Sequence, residues 1–247
     1  MRFDSAKLTL VGHRQENQDK VEVISQRNCV LIVVVDGMGG HSGGAKASEI
    51  TINTLGQYFR NVAHPVIDPQ GFLTLALAQA HDKVVDLGQD IALENRPRAT
   101  CAVCLIQDGF AYWAHVGDSR VYQLRSGAVH ARSRDHSHVE LLLREGLVKE
   151  HETRDHPMRN YVECCLGGDR PLPDMSIAAR KKLVADDVLL VCTDGLWSGV
   201  DDAEIARLSS ESPSLEPALQ ELANNAVQRN APHSDNTSVA ALRWIGH

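Results

Sequence analysis

The sequence predicts an α+β fold in which helices cover antiparallel sheets that also pack on each other. Three observations lead there. Strand-like runs follow one another across turns as short as Gln107-Asp108-Gly109 and Arg125-Ser126-Gly127, the mark of antiparallel hairpins. Long helical patterns come in separate blocks, whereas a doubly wound parallel sheet would need one between each pair of strands. No Pro/Gly/Ser-rich linker and no block of charge divides the 247 residues, so a single domain spanning 1–247 is expected.

In chain order the strand-like runs are Val21 to Ser25, Cys29 to Val35, Cys101 to Gln107, Phe110 to Val116, Val121 to Leu124, Val188 to Thr193 and Ser238 to Trp244. A helix is expected from about Gly44 to Phe59, where Ala47, Ile50, Leu55 and Tyr58 fall on roughly one side. Leu73, Ala76, Ala80, Val84 and Leu87 recur at steps of three and four, as do Leu215, Leu219, Leu222 and Ala226. The stretch from Asp135 to Gly168 differs. It is rich in His, Glu and Arg, with a short helical pattern at Val139, Leu142 and Leu143, and reads as a less buried excursion, a flap beside the site.

Hydrophobic residues make up 43% of the chain and charged ones 23%, an ordinary globular balance that excludes disorder. A formal charge of −7 opposes a nucleic-acid footprint, which needs a basic patch to displace counterions from phosphates. The longest apolar run, Cys29 to Val35, falls far short of the ~20 residues that span a bilayer. The amino-terminal Met1-Arg2-Phe3-Asp4-Ser5 lacks a signal-peptide apolar region, so a cytoplasmic monomer with no membrane or nucleic-acid partner is expected. Six cysteines without a regular framework fit reduced thiols, and Cys101 and Cys104 lie in a strand-like run that suits core packing better than a redox or zinc site.

Four aspartates stand where apolar runs begin or stop: Asp36 after Val33-Val34-Val35, Asp118 after Val116-Gly117, Asp194 after Cys192-Thr193, and Asp235 just before the last strand. Carboxylates at several strand ends would meet at a sheet rim and repel, by about 4 kcal/mol per pair at ~4 Å and an effective dielectric of ~20. A bound cation relieves that repulsion. Oxygen-only ligation suits hard Mg²⁺ or Mn²⁺, whereas zinc usually recruits His or Cys.

Around these acids lie residues suited to phosphate. Arg14, in Gly12-His13-Arg14-Gln15-Glu16-Asn17-Gln18-Asp19, offers a planar fork that can grip a phosphate through two parallel hydrogen bonds; a surface ion pair is the alternative reading of that segment. Asp36-Gly37-Met38-Gly39-Gly40-His41-Ser42-Gly43-Gly44 links a strand to a helix, and its glycines let backbone oxygens and amides approach an ion closely; Gly37 could give its carbonyl to a metal. A P-loop is excluded because Lys46 follows Ala45, against the G-x-x-x-x-G-K-[ST] order. A haloacid-dehalogenase start would need a second Asp where Met38 stands. His136, His138, His151 and His156 lack the Cys or third spaced His of a zinc site and read as polar flap residues.

Arg14, Asn17 and Asp19, Asp36 to His41, Ala99-Thr100-Cys101, Gly117 to Arg120, Asp135 to Ser137, Asp194 to Trp197 and Asp235 to Thr237 follow in an order that resembles the metal-dependent protein phosphatases of the PP2C (PPM) family, particularly its bacterial branch. The resemblance covers essentially the whole chain. It implies a four-layer α-β-β-α sandwich, two central antiparallel sheets flanked by helix pairs, with two Mn²⁺ or Mg²⁺ ions at one end and a possible third. It further implies Asp36 as the carboxylate bridging both metals, Gly37 donating its backbone oxygen, and Asp194 and Asp235 as ligands of the other ion. Asp118, with Asp194, matches the third-metal position, and Asp19 an outer ligand acting through water.

The activity so implied is hydrolysis of phosphoserine and phosphothreonine in proteins. A metal-bridging hydroxide would attack in line, without a phosphoenzyme, while Arg14 clamps the phosphate. Phosphorylated proteins and a cognate Ser/Thr kinase are the implied partners. Met38 stands where eukaryotic members often have a proposed acid, His; a metal-bound water is expected to serve, with His41 the weaker candidate. Gln18 replaces the Glu of many relatives and removes a charge beside the metal. A non-catalytic binding protein would have no need of Asp36, Asp194 and Asp235 together; a small phosphorylated metabolite stays open as substrate.

Overall fold

In a strand, successive side chains point to opposite faces, so a run buried at every position must be covered on both sides. Val30 to Val35 is such a run. Leu31, Val33 and Val35 pack into one core with helical residues, while Val30, Ile32 and Val34 enter a second core against the other sheet. Val188 to Cys192 repeats the pattern: Val188, Leu190 and Cys192 face helices, and Leu189 and Val191 face the same central core. Three apolar layers therefore separate four layers of secondary structure.

The computed structural model describes residues 1–39, 43–153, 156–212 and 214–246. The chain opens with β1 (Arg2–Leu10), β2 (Asp19–Gln26), β3 (Cys29–Met38), α1 (Gly43–Asn61) and α2 (Pro69–Leu87). β4 (Arg98–Gln107), β5 (Phe110–Val116), β6 (Arg120–Arg125) and β7 (Ala128–Arg132) follow, then α3 (His138–Arg144), α4 (Glu150–Thr153), β8 (Leu166–Gly167), β9 (Ser176–Ile177) and β10 (Lys181–Lys182). β11 (Val188–Cys192), α5 (Asp194–Trp197), α6 (Asp202–Ala206), α7 (Leu215–Arg229) and β12 (Thr237–Gly246) complete it.

One sheet has the order β1-β12-β11-β6-β7 and the other β10-β5-β4-β3-β2, with β8 on β4 and β9 on β5; every named pairing is antiparallel. The hairpins predicted at Asp108-Gly109 and Ser126-Gly127 form, with all four residues at positive φ, the twist that two-residue hairpin turns require. α1 and α2 cover the larger sheet; α7, with α5 and α6, covers the smaller. α2 begins where Asp68 accepts the backbone N–H of Gly71 at 3.0 Å with Pro69 at its first position, both helix-start signals.

β1 and β7, absent from the predicted runs, are edge strands whose residues are only half-buried. Cys101 packs toward the helices and Cys104 between the sheets, because three residues along a strand reverse the face; both thiols are buried and free. The excursion after Asp135 carries α3 and α4, is closed on itself by a Ser137–Val162 bridge, meets the body where the His136 N–H donates to the Gly117 carbonyl at 2.9 Å, and returns at β8, where Leu166 is fully buried. Among the described residues no helix is long and apolar enough to cross a membrane.

Candidate active site

Asp36 sits inside β3, two residues before the strand ends, directly opposite Asp19 on β2 and Thr100 on β4. Asp118 follows β5, Asp194 is the first residue of α5 beyond β11, and Asp235 immediately precedes the Asn236-Thr237 entry to β12. Asp36 belongs to the larger sheet, Asp194 and Asp235 adjoin strands of the smaller, and Asp118 lies in the link from β5 of the first to β6 of the second. Their ends meet at one edge of the sandwich, where a cavity of about 510 Å³ is lined by Arg14, Asp36, Gly37, Asp118, Asp194 and Asp235, among others. Six of the eight residues singled out in the sequence thus share one cavity. Asp19 is buried behind Asp36, outside the lining, and His41 lies outside the described residues, as does the side chain of His151.

Burial and mutual repulsion dominate the electrostatics. Burial raises the Asp36 carboxyl well above the ordinary range, and Asp19, Asp194, Asp118 and Asp235 raise it further. Burial likewise lifts Asp194, with Asp118, Asp235 and Asp19 adding to it. Asp19 is pushed up to about 7 by burial, partly offset by the hydroxyl of Thr193, which donates to its Oδ2 at 2.8 Å. Burial, with the charge of Asp135, also brings Asp118 to about 7.

These residues fit a hard divalent cation by their chemistry. Oδ1 of Asp19 and Oδ1 of Asp194 are buried without a hydrogen-bond partner, and a buried carboxylate oxygen so left costs about 1–3 kcal/mol or more unless a cation or proton meets it. The donors are distributed round the wall: among the described residues no three His, Cys, Asp or Glu side chains converge closely enough to enclose an ion in this arrangement. Gly37 belongs to the same wall, and a side chain there would overlap the carbonyl oxygen of Gly44, so the close approach of the two backbones requires glycine.

Arg14 is half-exposed, and its Nη2 donates to Oδ2 of Asp235 at 2.7 Å. The ion pair that the sequence left open therefore exists, and it joins the phosphate candidate to a metal candidate. Its loop is tied to the opposite strand by Asn236, whose Oδ1 accepts from the Gln18 N–H at 2.8 Å while its Nδ2 donates to Val11 and Glu16 carbonyls at 2.8 and 3.0 Å.

Several further residues of the same motifs join the surroundings of the site. Arg120 forks onto Asp135 and lies over the ring of Trp197, whose indole N–H donates to the Asp118 carbonyl at 3.0 Å. His136 Nδ1 accepts from the Gly117 N–H at 3.3 Å, and burial, with the His115 ring at 4.6 Å, lowers it to about 4. His136 thus serves the root of the excursion. Thr193 and Asn236 left a signal only in being polar residues beside the acids of otherwise apolar strands.

The arrangement of two helix-clad sheets is shared with known proteins. The profile of the protein phosphatase 2C family matches residues 11–236, so the chain belongs to that metal-dependent family of protein phosphatases. Protein phosphatase PhpP of Streptococcus pneumoniae is 32% identical over 239 residues, 95% of each chain. A serine/threonine phosphatase of S. agalactiae shares the fold with a TM-score of 0.88 and 29% identity, over 99% of this chain and 100% of that one. The catalytic domain of the serine/threonine phosphatase PstP, solved with two manganese ions, has a TM-score of 0.83 at 24% identity over 99% of each chain, a likeness of fold.

Proposed function

We propose that this protein phosphatase hydrolyses phosphoserine and phosphothreonine in proteins by direct attack of water, with two Mn²⁺ or Mg²⁺ ions and a third at Asp118 and Asp194. The observation that carries the reading is the meeting of Asp36, Asp118, Asp194, Asp235 and Arg14 at one cavity, drawn from both sheets. Divalent cations, when bound, supply an acidified water and neutralise phosphoryl oxygens. Asp36, Asp194, Asp235 and the Gly37 carbonyl are the residues to hold them, with Asp19 supporting from behind. Arg14 orients the phosphoryl group and grips its oxygens in bound substrate and transition state alike.

Among the described residues lining the cavity there is no Ser, Cys or His side chain to take up the phosphoryl group, and its aspartates are the residues this reading assigns to the cations, which supports direct attack by water. The ~1.5 to 2 negative charges of a phosphoresidue need local positive charge in a chain of net −7, and Arg14 is the only cationic side chain among those lining residues. Proteins phosphorylated by a cognate Ser/Thr kinase are the substrates this reading assigns.

The test is phosphate release from a phosphothreonine peptide across a Mn²⁺ and a Mg²⁺ titration, with EDTA and Asp36→Asn as controls. Turnover should need the metal and vanish in the variant. Metal-independent turnover, or activity confined to small phosphorylated metabolites, would overturn the reading.

A further inference from the structure

Arg14 reaches the cavity on a long side chain that is 56% exposed, so few packing contacts fix its direction. Apart from its ion pair with Asp235, its placement comes from the backbone that carries it. That backbone is the loop from Val11 to Gln18, and Asn236 binds it at three points: the start at Val11, the middle at Glu16 and the end at Gln18. One carboxamide oxygen and both of its N–H groups are thereby used. Asn236 is 5% exposed, and its own backbone N–H donates to Oδ1 of Asp235 at 2.8 Å. Ser234 adds a fourth tie, its Oγ meeting His13 Nδ1 at 2.7 Å and the His13 N–H at 3.1 Å.

No other side chain supplies this set. Aspartate has the shape and the acceptor but neither donor; glutamine carries the amide one methylene too far; serine cannot reach three points. The sequence separation between Asn236 and its partners exceeds 215 residues, so the amide closes the first loop of the chain onto its last strand.

We propose that Asn236 is a positioning residue for phosphate recognition, holding the Val11–Gln18 loop so that Arg14 stands beside Asp235 at the height of a bound phosphoryl group. The inference rests on the reading of Arg14 as the phosphate grip. It assigns no contact between Asn236 and substrate; the amide acts through the loop.

A double-mutant cycle tests it, with kcat and KM for a phosphothreonine peptide measured at saturating Mn²⁺ for wild type, Asn236→Asp, Arg14→Ala and the double variant. Losing a charge-assisted grip made alike in bound substrate and transition state raises KM by about tenfold and changes kcat by less than about threefold. Asn236→Asp should show that split, and the double variant should match Arg14→Ala alone. If the two KM increases multiply, or if only Arg14→Ala raises KM, Asn236 does not act through Arg14 and the inference fails while the reading of Arg14 stands. If Arg14→Ala leaves both constants unchanged, the grip itself is wrong and the inference falls with it. Asn236→Ser, which adds no charge, runs through the same cycle, and the melting transition of each variant confirms that it is folded.

Discussion

Arg120 and Asp135 form a two-pronged pair: Nε donates to Oδ1 at 2.8 Å and Nη2 to Oδ2 at 2.7 Å, with side chains only 13% and 8% exposed. The guanidinium carbon lies 3.7 Å from the centre of the Trp197 ring, so one residue joins the root of the 135–168 excursion to the helix that begins at Asp194. Removing one member of a nearly buried pair strands the other charge. Arg120→Ala should therefore cost about 3 kcal/mol or more in urea denaturation, and Arg120→Lys should recover only part, since an ammonium neither forks nor stacks as a guanidinium does.

Asp36→Asn should separate stability from activity. The substitution removes a buried acid that burial and the charges of Asp19, Asp194 and Asp118 disfavour, so the metal-free protein should melt no lower than wild type. Mn²⁺ at ~100 times its Kd should stabilise wild type by about 2.7 kcal/mol, and the variant by far less. Differential scanning fluorimetry with EDTA and with Mn²⁺ reads both effects. A variant that gains as much from Mn²⁺ as wild type would remove Asp36 from the ligand set.

The acidic cavity should give metal-free protein an unusual pH dependence. Burial lifts Asp118 from 3.8 to about 7, so between those values the folded state holds a proton that the unfolded chain has released. Stability from this group is complete below about 3.8 and declines as pH rises toward 7. Asp118→Asn, which does not titrate, should thus gain on wild type as pH climbs through that window in EDTA. Melting curves at intervals of half a pH unit check it; a constant difference would refute it.

Glu204 should show the opposite slope. Arg229 grips both of its oxygens at 2.6 and 2.7 Å, and the backbone N–H of Asp201 adds a third bond at 3.1 Å, lowering the carboxyl from 4.5 to about 2. Its stabilisation is present above 4.5 and lost as pH falls toward 2. Glu204→Gln should be less stable than wild type at neutral pH and indistinguishable from it near pH 2, by the same melting curves.

The buried strands were legible because apolar runs announce themselves: Phe110 to Val116 matches its predicted limits, and Cys29 to Val35 needed only extension to Met38. That extension matters. Asp36 stays in the ladder opposite Thr100, so the acid is held by pairing on both sides instead of by a turn. β1 escaped because an edge strand half in water mixes Asp4, Lys7 and Leu8 in a pattern no apolar count detects. Of the site, the acids could be read singly, from their places beside apolar strands. What joins them could not: Thr193 meets Asp19 across 174 residues, Trp197 meets Asp118 across 79, and Asn236 meets Gln18 across 218. Such pairings are decided by the packing of one sheet on the other, which local sequence does not encode.

Asp36 hangs from the larger sheet while Asp194 and Asp235 hang from the smaller, with only side chains such as Ile32 and Val191 between the two layers. The layers act as two jaws whose alignment the cavity measures. A methyl group too many in that filling would tilt one jaw and move half the donors with it, leaving secondary structure untouched. Neither jaw could be grafted alone onto a foreign scaffold and keep the chemistry, and turnover in this protein is a gauge of how its midplane is packed.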